Sequence, residues 1–215
     1  MKKRIVFFAI VLCFASFIKA SNDAGGFYYG IKAGIDTPLI SNTGFGLTSD
    51  PRVGFAGGIN GGYSFSPDFS MQFEINYFML TNDETGIAIF DPLGQISYPN
   101  IVTTYHYLQI PLLIKSNFMS NADIKPFITI GPAIEFQLAT RNNIFSNTNN
   151  LSWSATRGTI VTGIGAEYTL PNGNKISIEA RGDWWILGPD IATVSGNLIT
   201  IPFYNVVSIL LGYSI

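Results

Sequence analysis

The sequence predicts an all-β chain, an eight-stranded antiparallel transmembrane up-and-down β-barrel. Three observations predict it. Period-two alternation recurs eight times, with large apolar residues on one side of each stretch and small or polar residues on the other. Charged residues make up only 12% of the 215-residue chain while aromatic residues reach 14%, against about 25% charge in ordinary soluble domains. After the N-terminus no apolar run reaches the roughly 20 residues that a membrane helix needs, so if the chain enters a bilayer it does so as strands.

Lys2, Lys3 and Arg4 precede an apolar run over residues 5–18, and Ala20 offers a small residue at a cleavage point. This reads as a secretory signal peptide over residues 1–20, which leaves one barrel domain over residues 21–215. The sole cysteine, Cys13, lies inside that run, and Leu12 before it is not the small residue a lipoprotein site wants, so the exported chain has no disulfide. Losing Lys2, Lys3, Arg4 and Lys19 from the 12 bases leaves 8 against 14 acids, a formal charge of −6. Such a balance argues against a nucleic-acid partner.

The strands follow in order. Residues 27–36 put Phe27, Tyr29, Ile31, Ala33 and Ile35 opposite Tyr28, Gly30, Lys32, Gly34 and Asp36. Residues 53–65 put Val53, Phe55, Ile59, Tyr63 and Phe65 opposite Gly54, Ala56, Gly58, Asn60, Gly62 and Ser64. Ser66-Pro67-Asp68 turns into residues 69–79, the clearest alternation of the chain, where Phe69, Met71, Phe73, Ile75, Tyr77 and Met79 oppose Ser70, Gln72, Glu74 and Asn76. Residues 105–115 carry Leu108, Ile110, Leu112 and Ile114 outward, with Tyr107, Gln109, Pro111 and Lys115 inward. Pro111 cannot donate to a ladder, so a bulge or weakened pairing is expected there. Residues 127–138 face Ile128, Ile130, Pro132, Ile134, Phe136 and Leu138 outward, and Thr129, Gly131, Ala133, Glu135 and Gln137 inward. Residues 159–170 set Ile160, Ile164, Ala166, Tyr168 and Leu170 against Val161, Gly163, Gly165 and Glu167. After the Pro171-Asn172-Gly173-Asn174 turn, residues 175–186 set Ile176, Ile178, Ala180, Trp184 and Ile186 against Lys175, Ser177, Glu179, Arg181, Asp183 and Trp185. Residues 204–215 close the chain with Val207, Ile209, Leu211, Tyr213 and Ile215 opposite Ser208, Leu210, Gly212 and Ser214.

Short connections at residues 66–67, 116–124 and 171–174 alternate with long ones at residues 37–52, 81–102, 139–156 and 187–203. Short turns on the periplasmic side and long loops outside are the habit of outer-membrane barrels, and an even strand count leaves both termini periplasmic. Lys32, Glu74, Lys115, Glu135, Glu167, Glu179, Arg181 and Asp183 all share the small-residue face, which predicts an ion network in the lumen. A one-residue slip of any of these strands would move its charges into lipid, at about 2–4 kcal/mol for a basic group near the midplane and less for an acid. Phe65, Phe69, Tyr168, Trp184 and Tyr204 read as the aromatic girdle at the membrane surfaces.

Residues with chemical potential are few. His106 is the single histidine, and its phase is outward beside Leu108, so the His-x-Ser pair of a lipid A deacylase is missing its serine. Gly163-Ile164-Gly165 lacks the third glycine and the helix of a dinucleotide loop. No metal spacing exists. No catalytic residue, metal or cofactor is therefore assigned.

Tyr107-Leu108-Gln109-Ile110-Pro111-Leu112-Leu113-Ile114-Lys115, then Lys125-Pro126-Phe127 with Gly131-Pro132, and the terminal Leu211-Gly212-Tyr213-Ser214-Ile215, resemble the PorT-like outer-membrane β-barrel family of certain Gram-negative bacteria. The resemblance spans nearly the whole exported chain and implies an outer-membrane location. It also implies a non-enzymatic structural or accessory barrel, the namesake being an accessory in protein secretion and gliding. Expected partners are outer-membrane lipid, the periplasmic chaperones and barrel-assembly machinery that deliver such chains, and a protein or glycan at extracellular loops carrying Ile87, Ile89, Phe90 and Trp153. Eight strands enclose little more than side-chain volume, so no general pore is expected. Two alternatives stay open at the level of sequence. One is a lipid-modifying outer-membrane enzyme; the other is a secreted lipocalin-like barrel, with its oily face turned inward around a ligand.

Overall fold

The computed structural model describes residues 25–40, 48–85, 89–90, 96–97, 101–118, 122–142, 156–187, 191–194, 197–200 and 204–215. Eight long strands form the wall: β1 (Phe27–Ile40), β2 (Thr48–Ser64), β3 (Phe69–Thr85), β4 (Ile101–Asn117), β5 (Ile124–Asn142), β6 (Thr156–Thr169), β7 (Lys175–Leu187) and β8 (Tyr204–Ser214). Each is hydrogen-bonded to its sequence neighbours and β8 returns to β1, so the sheet is a closed barrel. The closing seam is antiparallel from Gly30 opposite Ser214 to Ile40 opposite Tyr204. The Tyr29 and Ile215 amides and carbonyls exchange two further bonds at its end. Closure leaves the eight-stranded wall without a free edge, which a bilayer requires because lipid cannot satisfy backbone groups.

The alternating pattern resolves into two faces. Ile31, Ile59, Ile164 and Leu211 are more than half exposed on the outside, whereas Glu74, Gln109, Glu179 and Arg181 are fully buried inside. This is the reverse of a lipocalin, and it overturns that alternative: the oily residues face away from the lumen.

The short connections are tight. In the β2–β3 turn the Ser66 hydroxyl accepts from the amides of Asp68 and Phe69, at 3.3 and 3.1 Å. In the β6–β7 turn Asn172 Oδ1 accepts from the Asn174 amide, and Gly173 takes a positive φ of 86°, a conformation that glycine adopts without strain.

The long connections are shorter than the sequence suggests. Residues 48–52 pair with residues 81–85, and Thr103 and Thr104 pair with Asn142 and Arg141, so the ladders continue beyond the oily band. The apolar period ends where lipid ends, but the backbone still pairs; the connections shrink to residues 41–47, 86–100, 143–155 and 188–203. Within two of these, Ile89–Phe90 pairs with Ile96–Ser97 and Ile191–Val194 with Asn197–Thr200. Ile87, Trp153 and the side chains of Ile89 and Phe90 lie outside the described residues, as do residues 1–20.

Between β3 and β4 the ladder lapses from Phe73 opposite Leu112 to Asn76 opposite Gln109, spanning Pro111 with no change of register. True register shifts fall at Arg52/Phe55, His106/Tyr107 and Gly158/Thr159, all toward the long-loop end.

Candidate functional site

The lumen is built by inward positions that come from strands far apart in sequence. At its centre Arg181 of β7 reaches Glu74 of β3 with two nitrogens at 2.6 and 3.0 Å, and meets both oxygens of Glu179 at 3.0 and 3.1 Å. Lys32 of β1 bridges the same two carboxylates at 2.8 and 2.7 Å. Two cations thus face two anions. Asn76 and Gln72 donate to Glu74, and Thr129 donates to Glu179 at 2.8 Å. Every acceptor oxygen of the two carboxylates is used, which is the condition under which buried charge is tolerated.

Glycines make the room. A Cβ on Gly163 would collide with Thr129 Oγ1 and Glu179 Oε1, and one on Gly58 with Asn76 Oδ1.

Toward the short turns lies a second group, where Glu167 takes Lys115 at 2.5 Å and Lys175 at 3.0 Å. Lys115 also sits 4.3 Å above the Phe127 ring, within cation–π range. The Tyr28 hydroxyl donates to Gln72 Oε1 at 3.0 Å. A cavity of about 10 Å³ remains between Tyr28, Lys32, Gln72, Lys115 and Glu167, room for about one water.

Toward the long loops the lumen changes character. Glu135 and Asp183 are joined through Gln109, whose amide nitrogen donates to them at 2.7 and 3.1 Å. No cation bonds either carboxylate among the described residues, although Arg157 lies opposite Glu135 across the β5–β6 ladder. Ala56, Phe78, Leu80, Tyr105, Tyr107, Val206 and Leu210 form an apolar cluster across this half, and Leu113, Ala133 and Val161 form a smaller one on β4 to β6.

The eight charged residues singled out by strand phase therefore fall into three groups rather than one network. Lys32, Glu74, Glu179 and Arg181 form the closed centre, Lys115 and Glu167 the short-turn group, and Glu135 and Asp183 the Gln109-linked pair. On the outside Phe65, Phe69 and Tyr168 are exposed toward the short-turn end and Trp184 toward the long-loop end, while the side chain of Tyr204 lies outside the described residues. The Trp184 indole donates to Thr162 Oγ1 at 2.7 Å. His106 is outward, and its Nδ1 lies 2.6 Å from the Tyr77 hydroxyl.

A family model described as "Outer membrane protein beta-barrel domain" matches residues 5–201. The chain belongs to this outer membrane protein β-barrel family. Its location is accordingly the bacterial outer membrane. Among solved structures it is similar to the outer membrane protein OprG from Pseudomonas aeruginosa, at 14% identity and a TM-score of 0.57, covering 90% of this chain and 98% of that one. It is also similar to Neisserial surface protein A, at 12% identity and a TM-score of 0.50, covering 92% and 99%. At these identities the likeness is one of fold. No curated protein sequence matches the chain.

For a member of the outer membrane protein β-barrel family the short-turn end is periplasmic and the long-loop end extracellular. The residues that sequence reasoning missed lie mostly in the extracellular half. Arg157 is buried, with its guanidinium 4.9 Å from the Tyr107 ring. It precedes Ile160, the first apolar outward residue of its strand, and so fell in the gap between the expected loop at residues 139–156 and the expected strand at residues 159–170, though its odd number shares the phase of Thr159, Val161 and Gly163. Lys175 carried an inward phase too, but its bridge to Glu167 crosses a turn.

Proposed function

We propose that this chain is a non-enzymatic outer-membrane barrel that carries no general flux and serves as a rigid stave for surface segments. One observation carries the reading: the guanidinium of Arg181, with both side chains it bridges, is fully buried at the centre of the lumen. A barrel plugged by charges that neutralise one another is suited to stability and unsuited to transport. The connections at residues 41–47, 86–100, 143–155 and 188–203 are the contact surface for a protein or glycan partner in this reading, since binding residues concentrate on loops carried by a rigid scaffold. Delivery by periplasmic chaperones and the barrel-assembly machinery belongs to the same reading.

A finer placement among PorT-like barrels, with an accessory role in secretion, is supported by residues 107–115 and by the Lys125-Pro126-Phe127 and Gly131-Pro132 pairs, which line adjacent strands β4 and β5. The lipid-modifying alternative is disfavoured, because Tyr77 occupies Nδ1 of His106 and residue 108 is leucine.

Planar-bilayer recording on the purified monomer tests the proposal. The expected outcome is an absence of large, stable conductance steps; porin-like steps would overturn it.

A further inference from the structure

The outer face is apolar almost throughout, but not at one place. Among the described residues the outward charges on strands are Asp50, Arg52, Asp83 and Arg141, all on β2, β3 and β5 at the extracellular end. Four residues there share a single row across the wall: Arg52 opposite Thr81, Thr81 opposite Thr104, and Thr104 opposite Arg141. Strands lie about 4.8 Å apart, so the two arginines stand about 14 Å from one another with two hydroxyls between them.

The height of this row is set by the strand beneath it. From Phe69 to Met79 is ten residue steps of outward-facing apolar alternation. At about 3.4 Å per residue and a tilt of about 40° that covers about 25 Å along the barrel axis, the height of the apolar band of an outer-membrane barrel. Thr81 is the next outward residue, so it lies where acyl chains give way to headgroups, and the row, which runs perpendicular to the tilted strands, spans about 9 Å of height through that boundary from one arginine to the other. Phe55, Met79, His106 and Ala139 form the row directly below, a surface for acyl chains.

Chemistry distinguishes the two arginines. Arg52 is paired with Asp83 at 2.5 Å. Arg141 is exposed and has no acidic partner among the described residues. The Thr81 and Thr104 hydroxyls are 3.2 Å apart, so one donates to the other and one proton remains to be given away. A guanidinium fork beside a hydroxyl donor recognises a phosphate.

We propose that the outward row Arg52–Thr81–Thr104–Arg141 binds the phosphorylated sugar headgroup of an outer-leaflet glycolipid of the lipid A class. Arg141 takes one phosphate directly. Arg52 answers a second at the far end of the row when it is released from Asp83, and the acyl chains lie down over Phe55 and Met79. The arrangement matches an acylated, diphosphorylated disaccharide better than a single-headed phospholipid, because the cations are separated along the row rather than clustered.

The test uses the full folded chain in detergent, with heat-modifiable gel migration as the check of folding for each variant. Binding is measured for four probes: diphosphoryl lipid A, the same lipid with its phosphates removed, phosphatidylglycerol and inorganic phosphate. Diphosphoryl lipid A should bind and the dephosphorylated form should not. Arg141→Gln should weaken binding about tenfold, the loss of one charge-assisted contact. Asp83→Asn, which frees Arg52, should tighten it, and Lys125→Gln at the periplasmic end should change nothing. Equal affinity of Arg141→Gln and the parent would overturn the site. Equal binding of the dephosphorylated lipid, or displacement by phosphatidylglycerol or inorganic phosphate at matched concentration, would overturn the glycolipid assignment. If Arg141→Gln failed to fold, Asp83→Asn would decide alone, weaker or unchanged binding counting against the proposal.

Discussion

The centre of the lumen and its extracellular half solve the same problem in opposite ways. Below, Lys32 and Arg181 neutralise Glu74 and Glu179, and amides and a hydroxyl take up what remains. Above, Asp36 is buried with neither carboxylate oxygen bonded by a protein group among the described residues, and the same holds for one oxygen of Asp183, both polar atoms of Asn82 and the Ser208 hydroxyl. That half closes instead by packing Phe78, Leu80, Tyr105, Tyr107, Val206 and Leu210. The lesson is that burial alone does not rank an ionisable residue. A paired charge costs much when its partner is removed; an unpaired carboxylate, being a liability already, costs little or nothing to neutralise.

The largest effect should come from breaking the closed centre. Arg181→Met leaves Glu74 and Glu179 to share Lys32, and unfolding free energy in detergent should fall by about 3–5 kcal/mol. An unchanged denaturant midpoint would erase the distinction between the two regions. A smaller loss is expected from Arg181→Met combined with Glu74→Met, because this removes one cation and one anion and leaves Lys32 matched to Glu179. Replacing a buried pair with apolar side chains is often close to neutral, so the double variant should be more stable than Arg181→Met alone by about 2 kcal/mol. A double variant as weak as the sum of its parts would show that volume, not charge balance, sets the cost. The smallest effect is predicted above: Asp36→Asn should alter stability by less than about 1 kcal/mol, or raise it. A loss as large as that of Arg181→Met, measured by the same denaturant titration, would mean that Asp36 is paired in a way its geometry does not reveal.

Much of the wall was legible because lipid outside and a filled lumen inside impose a strict period of two. The inward phase of Lys32, Glu74, Glu179 and Arg181 followed from Gly34, Gly58 and Gly163 sharing their face. What the sequence hid begins where both faces become apolar. After Asn76 the inward residues of β3 are Phe78 and Leu80 while the outward one is Met79, so alternation in polarity disappears although alternation in direction continues. The opposite loss occurs farther out, where Thr81 to Thr85 are polar on both faces and the strand runs on through its ladder with β2. Arg157 was hidden for the same reason, in a polar lead-in that the pairing to Glu135 shows to be strand. Which inward charges pair could not be read at all, because the tilt of the strands sets it: Lys32 and Glu179 are 147 residues apart in sequence.

That separation has a consequence for how the barrel comes together. Glu74 is made early in the chain, but the guanidinium that completes its shell arrives on β7, and Lys32 on β1 reaches Glu179 across the seam that joins the first strand to the last. Until β1 meets β8, the wall holds acids and bases that cannot all find one another, and a half-built sheet exposed to lipid bears that charge unmatched. The cluster therefore acts as a lock whose parts are distributed over the whole chain. It engages only when the ring is complete and in register, and it penalises every ring that closes one residue out of step.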